Sequence, residues 1–373
     1  IAMLFVSCDN NTMLNYEVAE NTKSDPLEID IDSIEIIGDM GNFDLDKTLV
    51  CESRGVQIIV FTFTADKPSE LNKLSIKLKF PSVDINGYWN PNLSIDKVNY
   101  WYSSVTSKAS RNAPVLSFYN NNLDNRITIA LSDALNHSEI VSYIREEDVH
   151  FYPTIKLFGE KMPKTTFYEI GIRIDTRDKP YYEVIDGVAN WWAQTDEYKP
   201  MNTPPTAKNP MYSTWYSYHQ SIKAEELIAE CKIAKTLGCE AIIIDDGWQT
   251  MDANRGYAYT GDWEADRIPD MKGFVEDVHN EGMQLLLWYS LPFMGEKAKN
   301  YDRFKGKFLT YWESQGTYVL DPRYPETREF IIGTYVDALN KWNLDGFKLD
   351  FIGRFTANSE TKLTKEDGRD FAS

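Results

Sequence analysis

The apolar positions along this chain change period at a proline-rich connector, residues 199–210. Before it, short runs alternate apolar and polar side chains. Residues 56–64 are rich in β-branched and aromatic types, and residues 74–80 alternate as a strand with one buried face does. Residues 126–131 and 169–174 repeat that signature, separated by turn-forming residues such as Asn120, Asn121, Asn122 and Asp124. Several short strands without a long helical period predict an antiparallel β-sandwich over residues 27–198.

Beyond the connector the pattern becomes strand, helix, strand, helix. Residues 211–218 read as a strand. Residues 221–237 read as a helix, with Leu227, Cys231 and Ala234 on one face and Gly238 as its stop. Residues 240–244 are a short run, apolar after Glu240, as in strands buried on both faces. A helix over 271–281 ends at Gly282 and leads into a strand over 283–289. A third helix starts at Pro325, a residue tolerated at the first helical position, and runs to Trp342 with Ile331, Tyr335 and Ala338 on its stripe. The last strand is 346–351. Repeated strand–helix units with buried strands predict parallel pairing and right-handed crossovers. Residues 211–373 are therefore expected to form the first half of a (β/α)8 TIM-type barrel. An open doubly wound sheet shares the pattern, but no glycine-rich phosphate loop follows the first strand.

The remaining bulk properties narrow the partners. The 373 residues suffice for two domains, and the net charge of -18 repels nucleic acid and anionic lipid, which favours a neutral partner. The aromatic share of 13% suits stacking on sugars and equally suits Tyr-rich sheets. Four cysteines and four scattered histidines show no metal-ligand spacing, so neither metal nor cofactor is expected. At the start, residues 1–8 are apolar and too short to span a bilayer. Residues 4–8 (LFVSC) resemble a bacterial lipobox, with Cys8 as the lipidated residue and residues 1–26 as signal remnant and tether. That reading implies a lipid-anchored protein of the bacterial cell envelope, periplasmic or on the outer-membrane surface. The alternative is a fortuitous apolar start with a spare cysteine.

Candidate chemistry gathers at the predicted strand ends, where barrels place reactive groups. After 240–244 comes Asp245-Asp246-Gly247-Trp248-Gln249, and the strand over 283–289 ends in Trp288 and Tyr289. Adjacent carboxylates after a buried strand need partners, and sugar hydroxyls are suitable ones, although Asp-Gly is also ordinary turn chemistry. Lys348 and Asp350 lie two apart on a strand and so share a face. Their ion pair would keep Asp350 ionised for attack, or would be a plain buried salt bridge.

Taken in order, these motifs resemble the melibiase-type α-galactosidases of glycoside hydrolase family 36 and its clan. The carrying residues are 245–249, Trp288, residues 318–328 (YVLDPRYPETR) and residues 346–351 (GFKLDF). The family's layout, a large β-sandwich before a barrel, fits the change of period. The resemblance implies a retaining hydrolase of α-galactoside oligosaccharides with Asp350 as nucleophile. It implies that Asp245 and Asp246 hold the axial and primary hydroxyls of galactose and that Lys348 holds another. Trp215, Trp248 and Trp288 are implied to line the sugar pocket. The family's general acid/base lies on a later barrel strand, beyond this chain, which reads as a C-terminally truncated piece. Many relatives carry a Glu-containing segment where this chain has residues 290–294 (SLPFM). Relatives often assemble, so a homo-oligomer is a further expectation. The alternatives are a galactosyltransferase of raffinose-synthase type and a non-catalytic glycan-binding surface lipoprotein.

Overall fold

A computed structural model describes residues 26–92, 102–109, 111–160, 162–195 and 198–355. Cys8 lies outside the described residues, as do the expected tether up to residue 25 and the end of the expected barrel segment, 356–373. The chain forms two compact units, the first up to Pro200 and the second from Met201.

The first unit is a β-sandwich. Six strands run in the order Asp44–Ser53, Val56–Ser69, Thr165–Asp175, Asn125–Leu131, Val115–Tyr119 and Gly87–Trp89, all antiparallel. A second antiparallel sheet is centred on Ser138–Arg145, Thr154–Leu157 and Leu74–Lys77. Alternation works as the sequence predicts. Ile59, Phe61 and Phe63 of one sheet point inward and share a core with Ile76, Ile140 and Ile155 of the other. Each such side chain, once fully buried, contributes roughly 1.5–3 kcal/mol.

One element of this unit differs from the expectation of strands alone. Tyr181–Trp192 is a helix that buries Val184, Val188 and Trp191, the last two packed with Ile58, Val115 and Ala130. The buried positions follow a helical spacing. Their β-branched and aromatic side chains nevertheless have strand preferences, which tertiary burial overrides.

The second unit contains four parallel strands, β1 (Met211–Ser213), β2 (Ala241–Ile244), β3 (Gln284–Tyr289) and β4 (Gly346–Leu349), paired in that order. Helices α1 (Ala224–Thr236), α2 (Met271–Asn280) and α3 (Pro325–Trp342) alternate with them, as in the first half of a barrel. Ile242, Ile244, Leu285 and Leu287 of the strands meet Leu227 and Cys231 of α1, Phe274 and Val278 of α2, and Ala338 of α3 in one core. Acidic Glu225 and Glu226 open α1 and Lys235 closes it, in keeping with the helix dipole. The Asp270 side chain caps α2 by accepting from the Gly273 amide.

Two segments depart from the predicted pattern. The strand expected over 211–218 stops at Ser213, and Trp215–Tyr218 is a helical turn. There the amides of Tyr218 and His219 fold back onto the carbonyls of Thr214 and Trp215, so the aromatic run finds local partners instead of a longer ladder. Between β3 and α3 lies a three-stranded antiparallel insert, Phe293–Gly295, Thr317–Leu320 and Phe308–Trp312, which the sequence reading did not foresee. The loop after β2 lies flush on this insert. A Cβ at Gly295 would stand 2.2 Å from the Ala258 carbonyl oxygen, so only glycine fits there.

Candidate active site

The strand ends bring the predicted polar residues together. Asp245 directly follows β2, with 2% of its surface exposed. Its backbone amide donates to the Thr214 hydroxyl at 2.9 Å, and its Oδ2 accepts from Lys348 Nζ at 2.8 Å and from the Ser213 hydroxyl at 3.3 Å. Its Oδ1 accepts the Asp246 amide. This carboxylate is therefore fixed from β1, from its own turn and from β4.

Asp246 is equally buried and held differently. Oδ1 accepts from the Gln249 side-chain amide at 2.7 Å, and Oδ2 from that of Gln220 at 2.6 Å. Both glutamines are themselves oriented, because their oxygens accept the backbone amides of Gly247 and Arg255. Burial pushes the Asp246 carboxyl up to about 6, against the two amides that favour its charge, and Asp245 adds to the rise. Gly247 has φ +116°, and a Cβ there would lie 2.5 Å from the Gln220 backbone. The Asp-Gly step thus forms the tight turn that one of the two sequence readings expected, and both carboxylates are held by protein donors.

Asp350 follows β4. Its amide donates to the Tyr289 carbonyl at 2.8 Å. Its Oδ1 accepts the Phe351 amide at 2.9 Å, and its Oδ2 accepts the Trp288 indole N–H at 3.0 Å. Lys348 Nζ is 3.5 Å from the same Oδ2. The expected Lys348–Asp350 pairing is therefore the looser of two contacts, and Asp245 is the tighter partner. Burial works to lower the Lys348 pKa, but the neighbouring carboxylates, Asp245 foremost, raise it overall. The lysine is thereby kept charged between the two.

The three tryptophans fall into different environments. Trp288 supports Asp350 directly. Trp215 sits half-buried on the helical turn, its ring 5.0 Å from that of His219 and 5.8 Å from the Arg255 guanidinium. Trp248 corrects the expectation of a pocket-lining ring. It is wholly buried among Trp263, Tyr289 and Trp342, and its indole N–H donates to the Trp288 carbonyl at 2.8 Å. It braces the backbone of Trp288 and offers no face to a ligand. Among the described residues, no group of three or more His, Cys, Asp or Glu is placed to hold a metal ion.

Sequence reading missed Thr214, Gln220 and Tyr257. The first two act through hydrogen bonds to Asp245 and Asp246, and neither sits in a recognisable motif. Tyr257 belongs to the loop after β2, and its ring lies nearly parallel to Trp288 with centroids 6.3 Å apart.

Comparison with known proteins agrees with this fold. Residues 203–372 match the family described as Melibiase. An α-galactosidase 1 of Pediococcus pentosaceus is 25% identical over 156 residues, 39% of this chain and 20% of that protein. The fold is similar to that of the α-galactosidase of Lactobacillus brevis, with TM-score 0.59 and 15% identity over 89% of this chain and 49% of that one. It is also similar to the glycoside hydrolase family 36 α-galactosidase AgaA of Geobacillus stearothermophilus, solved with raffinose, with TM-score 0.54 and 13% identity over 85% and 52%. The chain thus spans about half the length of these solved structures and a fifth of the curated relative. Residues 203–372, which include the half barrel that carries these carboxylates, thus match the Melibiase family.

Proposed function

We propose that this protein is a retaining glycoside hydrolase that removes terminal α-linked galactose from oligosaccharides or glycoconjugates, with Asp350 as its nucleophile. The observation that carries the reading is the support of Asp350: an indole N–H on one oxygen, a backbone amide on the other, and a lysine nearby. Together they fix the direction of the carboxylate, which is what attack on an anomeric carbon needs. In the reaction, an Asp350 oxygen bonds to that carbon while the glycosidic C–O bond breaks. The leaving oxygen takes the electron pair and a proton from the partner acid, which the family resemblance assigns to a later strand. Water, deprotonated by that same residue, then attacks the glycosyl-enzyme and frees Asp350. Asp245, Asp246 and Lys348 bind the sugar hydroxyls.

The test is nitrophenol release by the full-length protein from aryl α-galactoside, α-glucoside, β-galactoside and α-N-acetylgalactosaminide, beside Asp350→Asn. Hydrolysis of the α-galactoside alone, lowered by several orders of magnitude in the variant, is the expected result. Near-normal turnover by the variant removes Asp350 as nucleophile, and no hydrolysis of any substrate removes the hydrolase reading.

A further inference from the structure

The carboxylates of the site can only accept hydrogen bonds from a sugar, yet each sugar hydroxyl also needs a donor for its lone pairs. Each nitrogen donor around them already gives a hydrogen to a carboxylate. Gln220 and Gln249 donate to Asp246, Trp288 to Asp350, and Lys348 to Asp245 with Asp350 in reach. A hydroxyl with no such engagement belongs to Tyr257.

Its ring is held from several sides, against Trp288, against Phe293 at 5.0 Å, against Trp312 at 6.2 Å, and edge-on to Phe351 at 5.4 Å. Two of these neighbours, Trp288 and Phe351, are the residues that donate to Asp350. The loop position is also fixed, since the Tyr257 amide donates to the Gln315 carbonyl at 2.9 Å and its carbonyl accepts the Thr260 amide at 3.1 Å. The phenolic hydroxyl has no hydrogen-bond partner among the described residues, and it is not among the sealed polar atoms. A rigid ring therefore presents an unengaged O–H to accessible space beside the carboxylates.

We propose that Tyr257 is a sugar-contacting residue of this site, its phenolic O–H donating to one hydroxyl oxygen of the bound galactose. The inference rests on the proposed galactoside site and adds to it a donor from the loop after β2. Burial, followed by the negative charges of Asp246, Asp350 and Asp245, holds the phenol above its ordinary pKa. It stays protonated, and so a donor, wherever the enzyme works.

The experiment compares the full-length protein with Tyr257→Phe, which removes one oxygen and keeps the ring packing. Galactose affinity is read by calorimetry, and hydrolysis by release from aryl α-galactoside and its singly deoxygenated analogues. The variant is expected to bind galactose about 3- to 10-fold more weakly with an unchanged melting temperature. Its loss in kcat/KM should vanish for the one analogue that lacks the contacted oxygen. Equal affinity of parent and variant, or an equal loss with every analogue, overturns the contact while leaving the hydrolase reading intact. A parent that binds galactose without hydrolysing galactosides, and a variant that binds it less well, retains the contact and removes the hydrolase. A parent that binds no galactose removes both.

Discussion

The Trp288 indole N–H and the Lys348 ammonium approach the same oxygen of Asp350, the first at 3.0 Å and the second at 3.5 Å. The shorter contact is directional and comes from β3. The longer one is shared with Asp245, which holds the lysine more closely from β2. Of these two contacts the tryptophan's is the one that orients Asp350, beside the Phe351 amide on the other oxygen, and the lysine's charge is divided between two carboxylates.

Removing that indole donor should separate the two contributions. Trp288→Phe keeps an aromatic ring but leaves Oδ2 without its directional partner. A hydrogen bond to a charged group is worth about 1.5–3 kcal/mol, so kcat should fall about 10- to 100-fold. The loss should be far smaller than that of Asp350→Asn. Steady-state kinetics on an aryl α-galactoside checks this, and a kcat within twofold of the parent would show that Trp288 does not orient Asp350.

Lys348→Met removes the cation beside a nearly fully buried carboxylate. Asp245 keeps its hydrogen bonds from Ser213 and from the Asp246 amide but loses its ionic partner. Breaking a fully buried pair is strongly destabilising, but Lys348 is 36% exposed, so water compensates in part. A loss of about 1–3 kcal/mol in denaturant unfolding is expected. An unchanged midpoint would mean that the pair adds nothing to the fold.

Asp246 makes stability depend on pH in a particular direction. Its carboxyl titrates at about 6 in the folded protein and at about 3.9 in an unfolded chain. Between those values the folded state keeps a proton that the unfolded state releases. The contribution of this group to stability therefore falls as pH rises from about 4 to about 6 and is flat above, a drop of about 3 kcal/mol. Unfolding curves of the parent and Asp246→Asn across that interval should diverge in slope, with the variant lacking this component. Parallel curves would contradict the placement of an ionising group there. Binding of galactose through the ionised form should strengthen over the same interval.

Much of the second unit was legible because its signals are local. A wholly apolar run of four residues, such as that ending at Ile244, has few uses besides a buried strand, and glycines at 238 and 282 mark helix ends. Asp245, Asp246, Lys348 and Asp350 could be placed at strand ends from spacing alone. What could not be read depends on facing. Trp248 and Trp288 both lie near the ends of their strands, yet one braces a backbone from inside the core and the other donates to Asp350. The helix Tyr181–Trp192 carries strand-preferring side chains, and Gln220 lies in a connection whose sequence gives no hint that a carboxylate 26 positions later needs its amide. The three-stranded insert escaped notice because its strands are only three to five residues long.

The close seating of Ala258 on Gly295 has a consequence for how this protein can vary. The loop that presents Tyr257 and the insert that presents Trp312 are joined by backbone hydrogen bonds from Gly295 to Thr260, from Lys297 to Ala258 and from Tyr257 to Gln315. Neither stretch can be exchanged for another without the other following it. Changes of sugar preference by loop grafting should therefore succeed only when residues 251–263 and 290–317 are transplanted together, as one inherited block.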